Sequence, residues 1–173
     1  MKKALGIFIF LNLWTAVFQV YSQIPQLEWA KVIKSNEVWI SSMVTDANGN
    51  IYTAGYFADT VDFDPDTSVY EIISNSYHMG IYTMFISKYN SSGDFLWAEI
   101  FSGVKKNVAL TLDSAANVIL AGEFSGIVDF NPGSGTVNLS SNGGDDAFLL
   151  KLNSSGNFIY ATNFGGTGND GAY

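Results

Sequence analysis

The 173-residue sequence contains no cysteine, and all eight of its basic residues are lysine, so arginine is absent as well. It has one histidine, His78, and only three prolines. Without cysteine there can be no disulfide and no thiolate nucleophile, and one imidazole cannot build a multi-histidine zinc site. No G-x-S-x-G nucleophile elbow occurs either. These absences exclude Cys/His catalysis and any multi-histidine zinc site within this sequence, and we expect His78 to lie in a surface loop.

Positive charge is scarce. Residues 23–173 carry six lysines and sixteen acidic residues, which leaves a net charge of −10 with the histidine neutral. Nucleic-acid binding normally needs a basic face, and an anionic membrane surface repels an acidic protein. We therefore expect neither nucleic acid nor an anionic membrane surface as a partner.

The one long apolar run lies at the N-terminus, from Ala4 to Val20, and follows Lys2 and Lys3. Val20 and Ser22 then stand at positions −3 and −1 of a cleavage site. This pattern predicts a secretory signal peptide over residues 1–22 and a mature chain, 23–173, that is secreted or at the cell surface without membrane insertion. The alternative, an N-terminal membrane anchor, needs about 20 apolar residues, and this run is shorter and interrupted by polar residues.

Two segments of the chain recur. DANGNIYTAGYFADTVDFDP (46–65) returns as DSAANVILAGEFSGIVDFNP (113–132), at an offset of 67 positions. FISKYNSSGDFLWA (85–98) returns as FLLKLNSSGNFIYA (148–161), at an offset of 63. Self-similarity at a fixed period indicates stacked structural units.

Apolar residues in both units alternate or form short blocks, which is typical of β-strands and not of helices. Asn48-Gly49 and Asn90-Ser-Ser-Gly93 are hairpin-turn sequences. The pattern predicts an excursion over 61–74 in the first unit and strands over 38–45, 50–57, 83–89, 95–101, 108–112, 117–124, 128–139, 147–152 and 158–164. Four antiparallel strands with one excursion form a β-propeller blade.

The predicted fold is therefore all-β, a partial β-propeller of two four-stranded antiparallel blades, 38–101 and 107–164. Strands of neighbouring blades flank them: a lone outer strand over 27–33 and the start of a third unit over 165–173. A closed propeller needs about 4–8 blades. We expect the sequence to be a fragment of a longer protein that supplies the remaining blades in cis; assembly with copies of itself is the alternative.

The repeated motifs, with the tail FGGTGNDGAY, resemble the bacterial seven-bladed β-propeller-type repeat (SBBP-like) family of exported proteins over residues 27–173. The resemblance implies a propeller fold within a large secreted or cell-surface protein, and it implies no particular activity. The second unit departs from the pattern at Ala115-Ala116, where the first has Asn48-Gly49. That departure weakens the prediction of the second hairpin.

Asp62, Asp64 and Asp66 are the candidate metal ligands. Their i, i+2, i+4 spacing puts three carboxylates on one side of an extended segment, where Ca²⁺ could bind them. The second copy has Gly133 in the third place and so offers fewer ligands. The alternative is an acidic turn in which Asp62 accepts hydrogen bonds from local backbone amides.

Two other patterns are explained by turns and loops. Asp46, Asn48 and Asn50 share the same spacing, but they span a hairpin turn. The segment 166–171 matches G-x-G-x-x-G, although a dinucleotide site needs a strand before it and a helix after it. We interpret this segment as a loop.

Trp29, Trp97 and Tyr160 recur at one strand position, and an alanine follows each of them. A sugar-stacking platform is one interpretation of these aromatic residues. Packing between adjacent blades is the other, because aromatic side chains dominate burial in such sheets.

No catalytic residues are identified, so we predict that this segment is not an enzyme. It is expected to be an exported, non-catalytic propeller module that serves as a binding or scaffold surface in a larger secreted or cell-surface bacterial protein. Its ligand would be an unidentified protein or glycan, and no cofactor is expected other than the calcium ion at the acidic loop. The alternatives are part of a propeller enzyme acting on extracellular glycans, with catalytic residues outside this segment, or a purely structural spacer.

Overall fold

A computed structural model describes residues 29–74, 82–105 and 108–172. The predicted signal peptide, His78 and Tyr173 lie outside these ranges. The described residues form eleven β-strands and no helix, which confirms the all-β prediction. No helix in this part of the chain is therefore long and apolar enough to cross a membrane.

The first blade is an antiparallel sheet with the order β1-β2-β4-β5, and β3 pairs with the end of β2. Its strands are β1 (Lys34–Thr45), β2 (Ile51–Asp62), β3 (Glu71–Ile73), β4 (Thr83–Tyr89) and β5 (Phe95–Ser102).

The second blade repeats this plan with the order β6-β7-β10-β11, and β8 pairs with β9 as a separate ribbon. Its strands are β6 (Ala109–Leu112), β7 (Val118–Phe124), β8 (Ile127–Asp129), β9 (Asn138–Ser140), β10 (Asp146–Leu152) and β11 (Phe158–Phe164). The two four-stranded antiparallel sheets fit a partial β-propeller.

Residues 29–33, the described part of the predicted lone outer strand over 27–33, are irregular and form no ladder with the described strands. This segment is held to the sheet through its side chains rather than through a backbone ladder, and the tryptophan contact described below is one of these attachments. The excursion strand predicted over 128–139 is also divided, into β8 and β9, by a loop that includes Gly133 and Gly135.

The same type of turn closes four hairpins: β1–β2, β4–β5, β6–β7 and β10–β11. Its first residue is an Asp or Asn whose Oδ1 accepts the backbone N–H groups of the second and fourth residues that follow, at 2.9–3.0 Å. The first residues are Asp46, Asn90, Asp113 and Asn153. The Asp113 hairpin, which the sequence predicted only weakly, therefore forms like the others.

In each turn, the residue three positions after the first Asp or Asn has a left-handed backbone. Three turns have glycine there, such as Gly49 with φ of 78°, but the third turn has Ala116 with φ of 58°. A side chain in this region is strained by about 1–2 kcal/mol. Ala116 is thus a position where the fold overrides a local preference.

We expect Ala116→Gly to raise the free energy of unfolding by about 0.5–1 kcal/mol, because the relief of strain exceeds the extra entropy of glycine in the unfolded chain. Gly49→Ala is the matched control and should destabilise the protein by about 1 kcal/mol. Urea denaturation of both variants measures the two changes. Equal effects of the same sign would contradict the strain at Ala116.

Each blade has a front face that carries three buried phenylalanines. They are Phe57, Phe63 and Phe85 in the first blade and Phe124, Phe130 and Phe148 in the second. Ring centroids lie 5.0–6.2 Å apart in the first set and 4.8–6.4 Å apart in the second. The repeat is therefore a repeat of packing as well as of sequence.

The two blades share one hydrophobic core. The back face of the first blade, with Tyr52, Met84 and Phe101, packs on the front face of the second, with Leu120 and Phe130. The front face of the first blade forms a separate cluster that its own excursion and residue Ile33 cover. Successive blades thus meet front to back.

Candidate functional site

Two of the three recurring aromatic residues are contacts between units. The Trp97 indole Nε1 donates to the Ser154 carbonyl of the next blade at 3.4 Å, and the Trp29 indole donates to the Ser91 carbonyl at 3.1 Å. Both carbonyls belong to the turn between the last two strands of a blade. This geometry supports the packing interpretation. Tyr160, the third copy, is 42% exposed.

The acidic loop is built around Asp62. Its Oδ1 accepts the backbone N–H groups of Asp64 at 3.1 Å and Tyr70 at 3.0 Å, and Asp129 makes the same pair of bonds in the second blade. The bond from Tyr70 is the main cause that lowers the pKa of Asp62, while partial burial opposes it. Asp62 therefore holds the two sides of the excursion together.

The other two carboxylates of the loop have partners of their own. Asp64 accepts the backbone N–H of Asp66 at 3.0 Å, and Asp66 forms an ion pair with Lys31. In the described ranges, no three acidic or histidine side chains are grouped so that they could hold a metal ion. Calcium binding by Asp62, Asp64 and Asp66 stays a prediction.

We expect a calcium chelator to leave the melting temperature unchanged, and Asp62→Ala to lower the free energy of unfolding by about 1–3 kcal/mol, because two backbone N–H groups lose a charged acceptor. Paired thermal melts with and without chelator decide between the two interpretations. The calcium hypothesis predicts a stabilisation of about 2.7 kcal/mol at a hundredfold excess of ion over its dissociation constant. Chelator would then lower the melting temperature, and Asp64→Ala would abolish that difference.

The structure brings together a group of aromatic residues that the sequence did not indicate. We call Trp39, Tyr56 and Tyr82 the aromatic cluster. The rings of Trp39 and Tyr56 stack with centroids 5.2 Å apart, and Tyr82 meets them edge-on at 5.4 and 5.3 Å. Trp39 is 39% exposed. The cluster thus presents an aromatic surface to solvent.

A cavity of about 470 Å³ opens beside this cluster, between β1 of the first blade and the start of the second blade. Its lining combines aromatic, aliphatic and hydroxyl side chains: Trp39, Ile40, Ser41, Ser42, Tyr56, Val108 and Ala109. Pockets with an apolar lining and a few polar groups are the usual form of small-ligand sites.

The aromatic cluster is not a requirement of blade packing. At the offsets of the repeat, Tyr56 corresponds to Glu123 and Tyr82 to Asp145, and Asp145 forms an ion pair with Lys105 at 3.5 Å. The second blade therefore folds to the same plan with charged residues at these positions. This difference between the two copies was the sequence signal that could have identified the cluster.

No family model matches the chain. It is similar to an uncharacterised WD repeat-containing protein of Acanthamoeba polyphaga mimivirus, with 35% identity over 95 residues. The match covers 48% of this chain and 7% of that protein, so the chain spans a small part of the relative's length. The internal repeat, the two four-stranded sheets and this similarity together support a β-propeller-like repeat protein.

Proposed function

We propose that this chain is an exported, non-catalytic β-propeller module that binds a glycan and acts as part of a larger scaffold. The aromatic cluster with its neighbouring cavity is the observation that carries the proposal. It is a ligand-sized, partly exposed site at a position where the second blade, with the same fold, has charged residues.

The chemistry of this site favours a neutral sugar. Flat aromatic faces bury the apolar face of a ring-shaped ligand, while the hydroxyls of Ser41 and Ser42 offer hydrogen bonds to its hydroxyl groups. The net charge of −10 over residues 23–173 disfavours acidic ligands. A neutral glycan satisfies both conditions.

The scaffold part of the proposal rests on the back face of the second blade. Phe101 is 2% exposed because the second blade covers it, whereas Phe164, at the same position one unit later, is 59% exposed. Tyr160 is exposed on β11, at the position that corresponds to Trp97 on β5, where Trp97 contacts the turn of the next blade. We infer that another unit of the same repeat, supplied by the longer protein, packs on this face.

Export is proposed from the sequence. Lys2 and Lys3, the apolar run that follows and the small residues before position 23 have the form of a secretory signal. A fold that needs no cysteine is compatible with an oxidising environment, since no free thiol is exposed there.

A glycan array probed with residues 23–173 tests the binding function. We expect binding to a neutral glycan that Trp39→Ala abolishes and that Glu123→Gln, at the position equivalent to Tyr56, retains. Circular dichroism checks that each variant is folded. Failure of the wild-type protein to bind any glycan, or equal binding by both variants, would contradict the proposal.

A further inference from the structure

We propose that the junction between the two blades contains a second binding site, for a small ligand that carries a primary ammonium group, with Glu99 as its anionic anchor. The site is a cavity of about 320 Å³ and shares no residue with the aromatic cluster. Its lining is polar and small: Glu99, Asn131, Pro132, Gly133, Ser134, Gly135, Gly156, Asn157 and Phe158.

Glu99 lies on β5, two residues after Trp97, and its side chain runs past Gly156 of the second blade. Among the residues that the structure describes, it has neither an ion-pair partner nor a side-chain hydrogen bond. Partial burial without such a partner raises the pKa of its carboxyl group. The charged form of a half-buried carboxylate of this kind is stabilised when a cation binds beside it.

The first junction, where residues 29–33 pack against the first blade, contains such a cation. Lys31 stands two residues after Trp29, as Glu99 does after Trp97, and its side chain runs past Gly93 in the same way. The Lys31 ammonium pairs with Asp66 and lies 3.7 Å from Asp94. The first junction therefore contains an ammonium group from its own chain.

In the second junction, which lies between the two blades, the corresponding side chains carry different charges. A carboxylate replaces the lysine, and the repeat replaces Asp66 by Gly133 and Asp94 by Asn157, so the loops are neutral. The cavity is also larger, about 320 Å³ against 150 Å³ for the cavity beside Lys31. An external ammonium group would give Glu99 the kind of partner that Lys31 gives Asp66 in the first junction, because Lys88, which also lies in the second junction, donates to the Ser154 carbonyl at 2.9 Å instead.

The remaining lining residues set the class of ligand. The amide oxygens of Asn131 and Asn157 can accept hydrogen bonds, the Ser134 hydroxyl can donate or accept one, and the Phe158 ring offers an apolar wall. This set suits a compact, hydroxylated amine. An amino sugar such as glucosamine combines these features, and methylammonium is its minimal charged part.

Isothermal titration of residues 23–173 with glucosamine and with methylammonium tests the site, with glucose as the neutral control. We expect both amines to bind to the wild type and to the Trp39→Ala variant, and glucose not to bind to the Trp39→Ala variant, which lacks the proposed glycan site. Glu99→Gln should weaken amine binding by at least about tenfold. Glu99→Lys, which places an ammonium on the chain as at Lys31, should abolish it. Glu123→Gln removes one negative charge outside this cavity and should leave amine affinity unchanged.

The pH dependence gives a second readout. Amine affinity should fall as the pH is lowered through the raised pKa of Glu99, because the protonated carboxyl loses its charge. Melting curves establish that each variant is folded. No binding of either amine, or equal affinity in wild type and Glu99→Gln, would overturn the inference. Trp39→Ala separates this site from the proposed glycan site, because it should leave amine binding unchanged.

Discussion

Phe130→Ala is expected to lower the free energy of unfolding by about 3–5 kcal/mol, the range for deletion of a buried aromatic side chain. Phe130 is fully buried, and its ring lies 5.5 Å from Phe124 and 4.8 Å from Phe148 by centroid. It also lies 6.2 Å from Phe101 of the first blade. The cavity that alanine leaves would therefore weaken both the second blade and the junction.

Chemical denaturation followed by tryptophan fluorescence measures this loss. Ile127→Ala is the matched control, since Ile127 lies near Phe130 in the same excursion but is 71% exposed, and we expect a change within about 0.5 kcal/mol. Similar losses for the two variants would show that Phe130 is not part of the core that joins the blades.

Gly55→Ala is expected to destabilise the protein by about 3 kcal/mol, at the upper end of the range for overpacking. A Cβ atom on Gly55 would lie 1.9 Å from the Trp39 carbonyl oxygen and 3.0 Å from the Ile40 Cα. These are backbone atoms, so no side chain can move aside. The β1–β2 register shifts between Ile40 and Ser42, and Gly55 lies opposite this irregularity.

Gly168→Ala is the control for this substitution. A Cβ atom on Gly168 would meet nothing within 4 Å, and the change in stability should stay within about 0.5 kcal/mol. Thermal melts of the two variants compare them directly. Because Gly55 pairs with the strand that carries Trp39, Gly55→Ala should also weaken glycan binding, whereas Gly168→Ala should not.

The agreement between sequence and structure is closest within single strands. The predicted strand over 83–89 coincides with β4, and that over 158–164 coincides with β11. Alternation of side chains along a strand is a local property, so it can be read from neighbouring positions in the chain. Lys34 shows what local patterns do not predict. It pairs with Asp62, the last residue of β2, and no pattern of neighbouring residues indicates that pairing.

The candidate sites were harder to predict. The spacing of Asp62, Asp64 and Asp66 was compatible with metal ligands and with turn bonds, because spacing does not say which way each carboxylate points. In the structure, Asp62 accepts hydrogen bonds from backbone amides, and Asp66 pairs with Lys31, which lies 35 positions before it in the sequence. Such a pairing depends on how residues 29–33 pack against the first blade.

By itself, the sequence determined the repeat, the all-β character and the hairpin turns of the first blade, because each depends on residues within a few positions or on a comparison of the two copies. Only the tertiary structure decided that Trp39, Tyr56 and Tyr82 form one surface and that Glu99 lies beside a cavity between the blades with no ion-pair partner among the described residues. Both sites arise where strands distant in the chain come together, and two copies that fold alike can differ there without any change in strand pattern.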